Sequence, residues 1–427
     1  MNATTTFESV TGSDVTTQGT NDVATNGSKC ETMDVNDDHR HRSDEQEEKN
    51  DDSSDQEKDV GPSVGDDSWE EHGCVLWDLA TSRTHAELMV QNLVLEVILA
   101  TLTVSQSPRV TTNSMLVLKE FRLITLGVQG SEVLTWVRAL QPENVLSRIL
   151  WVVENTLNPQ LLEKSVGFLL SVSESQDEVR DIILPQLVKL GLPIILIGLL
   201  ATEISKLEGD ERLPERYPVL DVILRAIEAL SVIDSCSQEL CSSKKLLHLL
   251  ATLIKLTDKI EVAASCVTAA VLIANLLSDS DGLILEINKD QLFLQGLLDI
   301  FPFASDDIEA RNAIWDVISR QLAQVQEGET SPLKLHQYVS VLASKSDLIE
   351  EELLDHQLAA SNKDQENSTT SSRNLHIRTA ALKRIDSIVI QWLTSKDQDS
   401  PINVTEDYLV NERDLDRLKD CCQKYSK

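Results

Sequence analysis

Apolar residues recur along the chain in blocks long enough for helices, and three of these blocks are equally spaced. The most apolar block, Glu261–Leu277, is rich in alanine and carries an asparagine, Asn275, near its end. The segment Ala226–Ile233 lies 43 residues before Ala269–Leu276, and Asn312–Ser319 lies 43 residues after it. Equal spacing of similar apolar segments predicts a stacked helical repeat.

The length of the repeat predicts an all-α fold. A period in the forties is typical of armadillo and HEAT units, so we expect a right-handed α-solenoid of such units. Composition agrees, because hydrophobic residues make up 41% of the chain and aromatic residues only 4%. A core of leucine, isoleucine, valine and alanine suits helices that pack on helices, and the low counts of glycine (15) and proline (11) disfavour a β-rich fold.

The pattern divides the chain into four segments. Residues 1–67 have few large apolar side chains, so we expect a disordered acidic tail. The repeats occupy 68–358, and the stretch 359–374, rich in Ser, Thr, Asn and Gln, is predicted to be a flexible linker. Residues 375–427 are predicted to form helices that cap the last apolar face of the solenoid.

Local signals mark several helix starts. Ser68, followed three residues later by Glu71, forms a capping box and is predicted to be the N-cap of the first helix. Pro142, Pro159 and Pro332 each follow a residue that can cap, which places proline in the first turn of a helix. The third helices of three successive units are expected near 217–234, 260–278 and 306–325.

Charge disfavours two classes of partner. The formal net charge is −32, and residues 1–69 hold 18 acidic against five basic side chains. Such a balance opposes binding to nucleic acid or to an anionic membrane surface, and it favours basic partners. The longest apolar runs are interrupted, so we expect no membrane span. The alternative explanation of the charge is solubility, because acidic surfaces keep a leucine-rich solenoid in solution.

The candidate chemistry is sparse. Seven cysteines are scattered without a visible framework, which predicts free thiols in a reducing compartment, in the nucleus or the cytoplasm. Neither a phosphate-binding glycine loop nor a zinc motif is present. We therefore expect no catalytic site, no cofactor, no metal and no small-molecule substrate.

Two short segments resemble a known family. Glu71-His-Gly-Cys-Val-Leu-Trp-Asp78 and the later Ser107-Pro-Arg-Val110 are similar to the start of the serum amyloid A-like protein 1 family. The resemblance implies an armadillo-like, intracellular and often nuclear scaffold linked to proliferation control, with no assigned catalysis. After Val110 the chain departs from the family's Gly-Ile-x-Gly-Asn segment, so a stretch that resembles one groove helix is expected to be missing.

Asn275 is the first candidate partner-binding residue. Third helices of armadillo units face the groove, and Leu272-Ile-Ala-Asn275 resembles the Ala-Leu-Ser-Asn segment of such a helix. Its amide supplies the donor and acceptor that capture of a peptide backbone requires, and the alternative is that it bonds to a neighbouring helix. Trp315 and Ser319, one repeat later, are the other candidates, and Trp315 fits the groove and the core equally well. Trp151 is predicted to be a core residue.

These observations support two hypotheses of function. The first is a non-catalytic scaffold that binds protein partners on its concave helical face. The second is a transport or regulatory adaptor for basic cargo. Acidic side chains along the third helices would favour the adaptor, so the two hypotheses differ in the charge that they expect on that face.

Overall fold

The chain folds into α-helices and short 3₁₀ turns, with no strand in the part that the structure describes. The structure is a computed structural model, and it describes residues 64–105, 107–120, 137, 140, 143–209, 213–279, 290–327, 331–361, 368–396 and 410–426. The helices of the first half are α1 (Val64–Ala80), α2 (Arg83–Gln91), α3 (Val94–Val104), α4 (Pro108–Glu120), α5 (Glu143–Asn155), α6 (Pro159–Ser173), α7 (Asp177–Lys189), α8 (Leu192–Glu208) and α9 (Tyr217–Ser231). Those of the second half are α10 (Asp234–Cys241), α11 (Lys244–Ile254), α12 (Ala263–Asp279), α13 (Gln291–Asp299), α14 (Ile308–Glu327), α15 (Pro332–Ser344), α16 (Ser346–Ser361), α17 (Ser368–Lys396) and α18 (Glu412–Tyr425).

Seven of these helices form a ladder in which each member packs against the next. The ladder helices are α1, α4, α6, α9, α12, α14 and α17. Shorter helices pack beside them, as α10 and α11 do on α12 and as α15 does on α17. All of them belong to one compact unit, Val60–Lys427. The predicted all-α, armadillo-like stack is therefore confirmed, and α9, α12 and α14 lie where the third helices were predicted. The hand of the superhelix stays a prediction.

The alanine-rich helix α12 shows why the ladder forms. Ala269, Ala270, Leu272 and Ile273 are wholly buried. They lie on a helix that packs against α9 on one side, α14 on the other and α11 behind it. Small side chains let neighbouring backbones approach closely, and a helix that is apolar nearly all round must be covered by several neighbours. The composition of α12 therefore requires the repeat before it and the repeat after it.

The same helix meets the length and composition criteria of a membrane span. In the described part of the chain, Ile260–Ser278 is long and apolar enough to cross a membrane, and 56% of its most apolar stretch is buried within the fold. Two bent helix pairs would qualify only if each were counted as one span. The expectation that every apolar run is too interrupted to qualify is therefore wrong for this stretch. Packing against α9, α11 and α14 accounts for its buried apolar side chains.

Two of the predicted caps are confirmed in atomic detail. The side chain of Asn158 accepts a hydrogen bond from the backbone N–H of Leu161, with Pro159 next in the first turn of α6. Ser331 caps α15 in the same way, ahead of Pro332. Pro142 lies outside the described residues.

The predicted N-cap at Ser68 is wrong. Helix α1 begins four residues earlier, at Val64, so Ser68 lies inside the helix. Asp66 and Asp67 lie in the first turn, where their negative charges interact favourably with the positive end of the helix dipole. Of the predicted tail, residues 64–67 are thus helical, and the remainder lies outside the described residues.

The predicted linker is also wrong wherever the structure describes it. Helix α16 continues to Ser361, and helix α17 begins at Ser368, so residues 359–361 and 368–374 are helical. Residues 362–367 lie outside the described part. Helix α17 packs along α14 as the next member of the ladder. It therefore completes a further unit with α15 and α16, and among the described helices α18 is left to cover the end of the stack.

Two glycines provide a matched test of helix packing. A Cβ on Gly296 of α13 would lie 2.2 Å from the carbonyl oxygen of Ile254, whereas a Cβ on Gly198 of α8 would meet nothing within 4 Å. We expect Gly296→Ala to lower the free energy of unfolding by about 1–3 kcal/mol or more through overpacking. Gly198→Ala should raise it by about 0.5–1 kcal/mol, because alanine is the better helix former. Equal effects in urea unfolding would contradict the close approach of α13 to α11.

Candidate partner-binding face

Polar side chains connect successive ladder helices at nearly the repeat spacing. Asn275 Nδ2 on α12 donates to Ser231 Oγ on α9 at 3.2 Å, across 44 residues. Arg320 Nη1 on α14 donates to the carbonyl oxygen of Leu277 on α12 at 2.9 Å, across 43 residues. These bonds join neighbouring units and hold the helices in register.

The geometry at Asn275 favours the structural alternative over peptide capture. The side chain is half-buried, and its amide N–H₂ already donates to Ser231, whose own hydroxyl donates to the carbonyl oxygen of Glu228 at 2.7 Å. A partner would have to compete with this relay. The contact of Asn275 with a ligand stays a prediction, and its bond to the neighbouring helix is the observed role.

Trp315 and Ser319 do not lie on an accessible face, so their assignment to partner binding is wrong. Trp315 is 0% exposed, lies with its ring centroid 5.0 Å from that of Phe301, and donates from Nε1 to Glu352 Oε1 at 3.0 Å. Ser319 is 5% exposed, and its Oγ accepts from Arg384 Nη1 at 2.7 Å. The physical reason is that α16 and the additional ladder helix α17 cover the side of α14 that was predicted to be exposed.

The prediction for Trp151 is wrong in the opposite direction. Its side chain is 52% exposed on α5, and the guanidinium of Arg148 lies 4.2 Å from the ring centroid. A cation over the face of an aromatic ring makes a favourable cation–π interaction, and this interaction also forms at exposed sites. The next helix, α6, takes the ladder position, which leaves this side of α5 open to solvent.

A cluster of charged residues that the sequence reasoning missed lies on the ladder around α9. Asp221, Arg225 and Glu228 are spaced by four and three residues, which puts them on one face of that helix. Glu174, at the end of α6, lies 3.8 Å from Arg225, and Asp307 precedes α14. We call Glu174, Asp221, Arg225, Glu228 and Asp307 the acidic ladder face. The spacing on α9 was visible in the sequence, but the neighbours from α6 and α14 were not.

Burial changes the proton affinity of two of these carboxyls. Burial raises the pKa of Asp221, and Arg225 partly offsets this shift. Burial also raises the pKa of Glu228, against the opposing effect of Arg225, and the charges of Asp307, Asp221 and Glu174 raise it further. One cation among four carboxyls leaves the face with an excess of negative charge. The free protein thus holds carboxylates that a second cation would stabilise.

The surface strip of α12 between the acidic side chains is neutral, and most of its side chains are short. Helix α12 lies between α9 and α14. The described side chains that it leaves partly or fully open are small or medium in size: Ala264, Val267, Thr268, Val271, Asn275 and Ser278. Short side chains leave room for a chain to approach, and the flanking carboxylates could accept hydrogen bonds from lysine or arginine. The arrangement is suited to recognition of a basic segment.

A separate cavity of about 450 Å³ lies near the C-terminus, between α16 and α18. Its charged lining residues balance, with Glu350, Asp416 and Asp420 against Arg413, Arg417 and Lys424. Burial raises the pKa of Cys421 in its wall to about 11, so the thiol is protonated at neutral pH and is a weak nucleophile. Within the described residues, no group of three His, Cys, Asp or Glu side chains is arranged to hold a metal ion.

Comparisons with known proteins yield only distant similarity in fold. No family model matches the chain, and no curated protein matches it. Two crystal structures of engineered proteins align with 63% of this chain, at TM-scores of 0.42 and 0.37 and identities of 15% and 17%, and cover 96% and 94% of those chains. The crystal structure of SYS-1 and that of the SYS-1/POP-1 complex align at a TM-score of 0.49 and 11% identity. In both cases 84% of this chain and 58% of that chain are covered. These values are too low to assign a function.

The hydrogen bond between Asn275 and Ser231 can be tested by a double-mutant cycle. We expect Asn275→Ala and Ser231→Ala each to lower the free energy of unfolding by about 0.5–1.5 kcal/mol, because each removes a hydrogen bond between neighbouring units. The double variant should lose less than the sum of the two single losses, because the shared bond can be lost only once. Strict additivity in chemical denaturation would show that the two side chains do not interact.

Proposed function

We propose that this protein is a non-catalytic helical scaffold that binds protein partners through the exposed side of its ladder helices. The observation that carries the proposal is the acidic ladder face, where four carboxyls from three structural units lie close together with one exposed arginine. A stack of units offers an extended surface, and extended surfaces of stacked repeats are well suited to binding chains. Because the open side chains of α12 are neutral and mostly small, the recognised partner is a segment rich in lysine or arginine.

The second candidate function, an adaptor that carries basic cargo for transport or regulation, uses the same surface. The excess of carboxylates on the ladder is the feature that favours it over a scaffold without charge preference. Scaffold and adaptor differ in whether the partner is released, which is a matter of kinetics. Mutual attraction between the partner and this face would raise the association rate and would weaken with salt.

We further propose that the protein acts inside the cell, in the nucleus or the cytoplasm. None of the six described cysteines forms a disulfide bond, which suits a reducing compartment. The similarity of residues 71–78 and 107–110 to the serum amyloid A-like protein 1 family supports the same proposal. In the fold the helices that carry these two segments, α1 and α4, pack together, and Asn113 Nδ2 on α4 lies 3.7 Å from Cys74 Sγ on α1.

The test is binding of a lysine- and arginine-rich peptide to variants of the acidic ladder face. We expect Asp221→Asn and Glu228→Gln each to weaken binding by about two- to five-fold, in line with the contribution of a partly exposed charge. Affinity should also fall as the pH is lowered, beginning above the ordinary pKa values of 3.8 and 4.5, because both carboxyls hold their protons more tightly than usual. Fluorescence anisotropy at several pH values measures both effects.

The stability of the same variants separates binding from folding. A carboxyl whose pKa is raised in the folded state stabilises the fold at low pH, and this contribution is lost as the pH rises through the raised pKa. Above the raised pKa the charged form therefore costs stability, so in that pH range the two variants should be at least as stable as the parent. Asp177→Asn, on an exposed residue of α7, serves as the control and should leave peptide affinity unchanged. Equal binding by all four proteins would overturn the proposal.

A further inference from the structure

A second charged cluster is buried where α14, α16 and α17 meet. It contains Arg311 and Trp315 of α14, Glu352 of α16 and Arg378 of α17. Arg311, Glu352 and Arg378 are 4%, 5% and 5% exposed, and Trp315 is fully buried. Two guanidinium groups and a single carboxylate give the cluster a net charge of +1. Buried arginine side chains are rarely left without a balancing negative charge.

Glu352 is already used by other donors. Its Oε2 accepts from Arg311 Nη1 at 3.0 Å, and its Oε1 accepts from Trp315 Nε1 at 3.0 Å. By contrast, Nε and Nη2 of Arg378, together with Nε of Arg311, are buried and have no hydrogen-bond acceptor in the described part of the protein. Three donors of two neighbouring guanidinium groups thus lack partners at one location.

Such an arrangement is costly for the protein alone. A buried charge without a partner loses its hydration and gains little in return. Burial lowers the pKa of Arg378, the charge of Glu352 opposes this shift, and the nearby charge of Arg311 adds to it. Arg216 shows the usual solution elsewhere in the same fold, because its Nε donates to Glu203 Oε2 at 2.7 Å and its Nη2 donates to Glu203 Oε1. Among the described residues, no carboxylate accepts from Arg378 in this way.

We propose that the Arg311–Glu352–Arg378 cluster is an anion site that binds one carboxylate group. A carboxylate matches the cluster in charge, because one negative charge neutralises the excess of +1. It also matches in shape, since the two oxygens of a planar carboxylate accept from a guanidinium in parallel. A water molecule would supply an acceptor but no charge. The site is separate from the acidic ladder face and does not depend on the function proposed for that face.

The experiment uses the full chain and acetate as the probe. We expect sodium acetate, exchanged for sodium chloride at constant ionic strength, to raise the Tm in a saturable way, by about 1–3 °C for each tenfold increase above the Kd. Equilibrium dialysis with radiolabelled acetate should find one saturable equivalent per chain. Inorganic phosphate is titrated in parallel, and a response to phosphate without one to acetate would overturn the choice of a carboxylate.

Variants locate the site within the protein. Arg378→Met keeps a long side chain but removes the guanidinium, and it should abolish both the uptake of acetate and the rise in Tm. Arg180→Met, on α7, removes an arginine outside the cluster and should keep both responses. If Arg378→Met does not fold, dialysis with Arg378→Lys decides, because a lysine lacks the planar fork and should bind acetate more weakly. The proposed anion site would be overturned if the parent protein did not take up acetate. It would also be overturned if Arg378→Met still took up acetate.

Discussion

Each inner ladder helix is packed between the ladder helix before it and the one after it, and the rest of the fold depends on this double contact. Helix α12 cannot cover its apolar surface by itself, because buried residues such as Ala270 and Ile273 occur nearly all round it. It needs α9 and α14 together. Stability in such a stack is the sum of units and their interfaces, so loss of one ladder contact weakens both neighbours.

Polar contacts between ladder helices add register to this packing. Asn275 bonds to Ser231, Arg320 bonds to the carbonyl oxygen of Leu277, and Arg384 bonds to Ser319. Apolar side chains alone would tolerate a small slide of one helix along the next, whereas a hydrogen bond holds only at one offset. Asn275 and Ser319, two of the predicted partner-binding residues, therefore join neighbouring units.

The two charged regions of the protein differ in how they meet water. Asp221 and Glu228 are only partly buried, so a partner in solution can reach them. Arg311 and Arg378 are almost fully buried, so their charge must be balanced within the fold or by a bound anion. An acidic chain with a net charge of −32 thus keeps a positive centre where α14, α16 and α17 meet.

The C-terminal part shows what depends on contact rather than on composition. Residues 368–374 have the polar composition of a linker, yet they form the first turns of α17. The later turns of the same helix bury Ala381, Ile385 and Ile388 and pack along α14. A helix that is held by tertiary packing can extend into residues of low helical preference.

The sequence by itself determined the helices and their repeat, because the spacing of apolar residues along a helix is a property of the chain alone. It placed α9, α12 and α14 and the caps at Asn158 and Ser331. Only the tertiary structure decided which faces stay open. Trp151 and Trp315 both lie in apolar helical segments, but one is half-exposed and the other is enclosed by Phe301 and Glu352. Exposure depends on distant helices that cover a side chain, and no local pattern contains their positions.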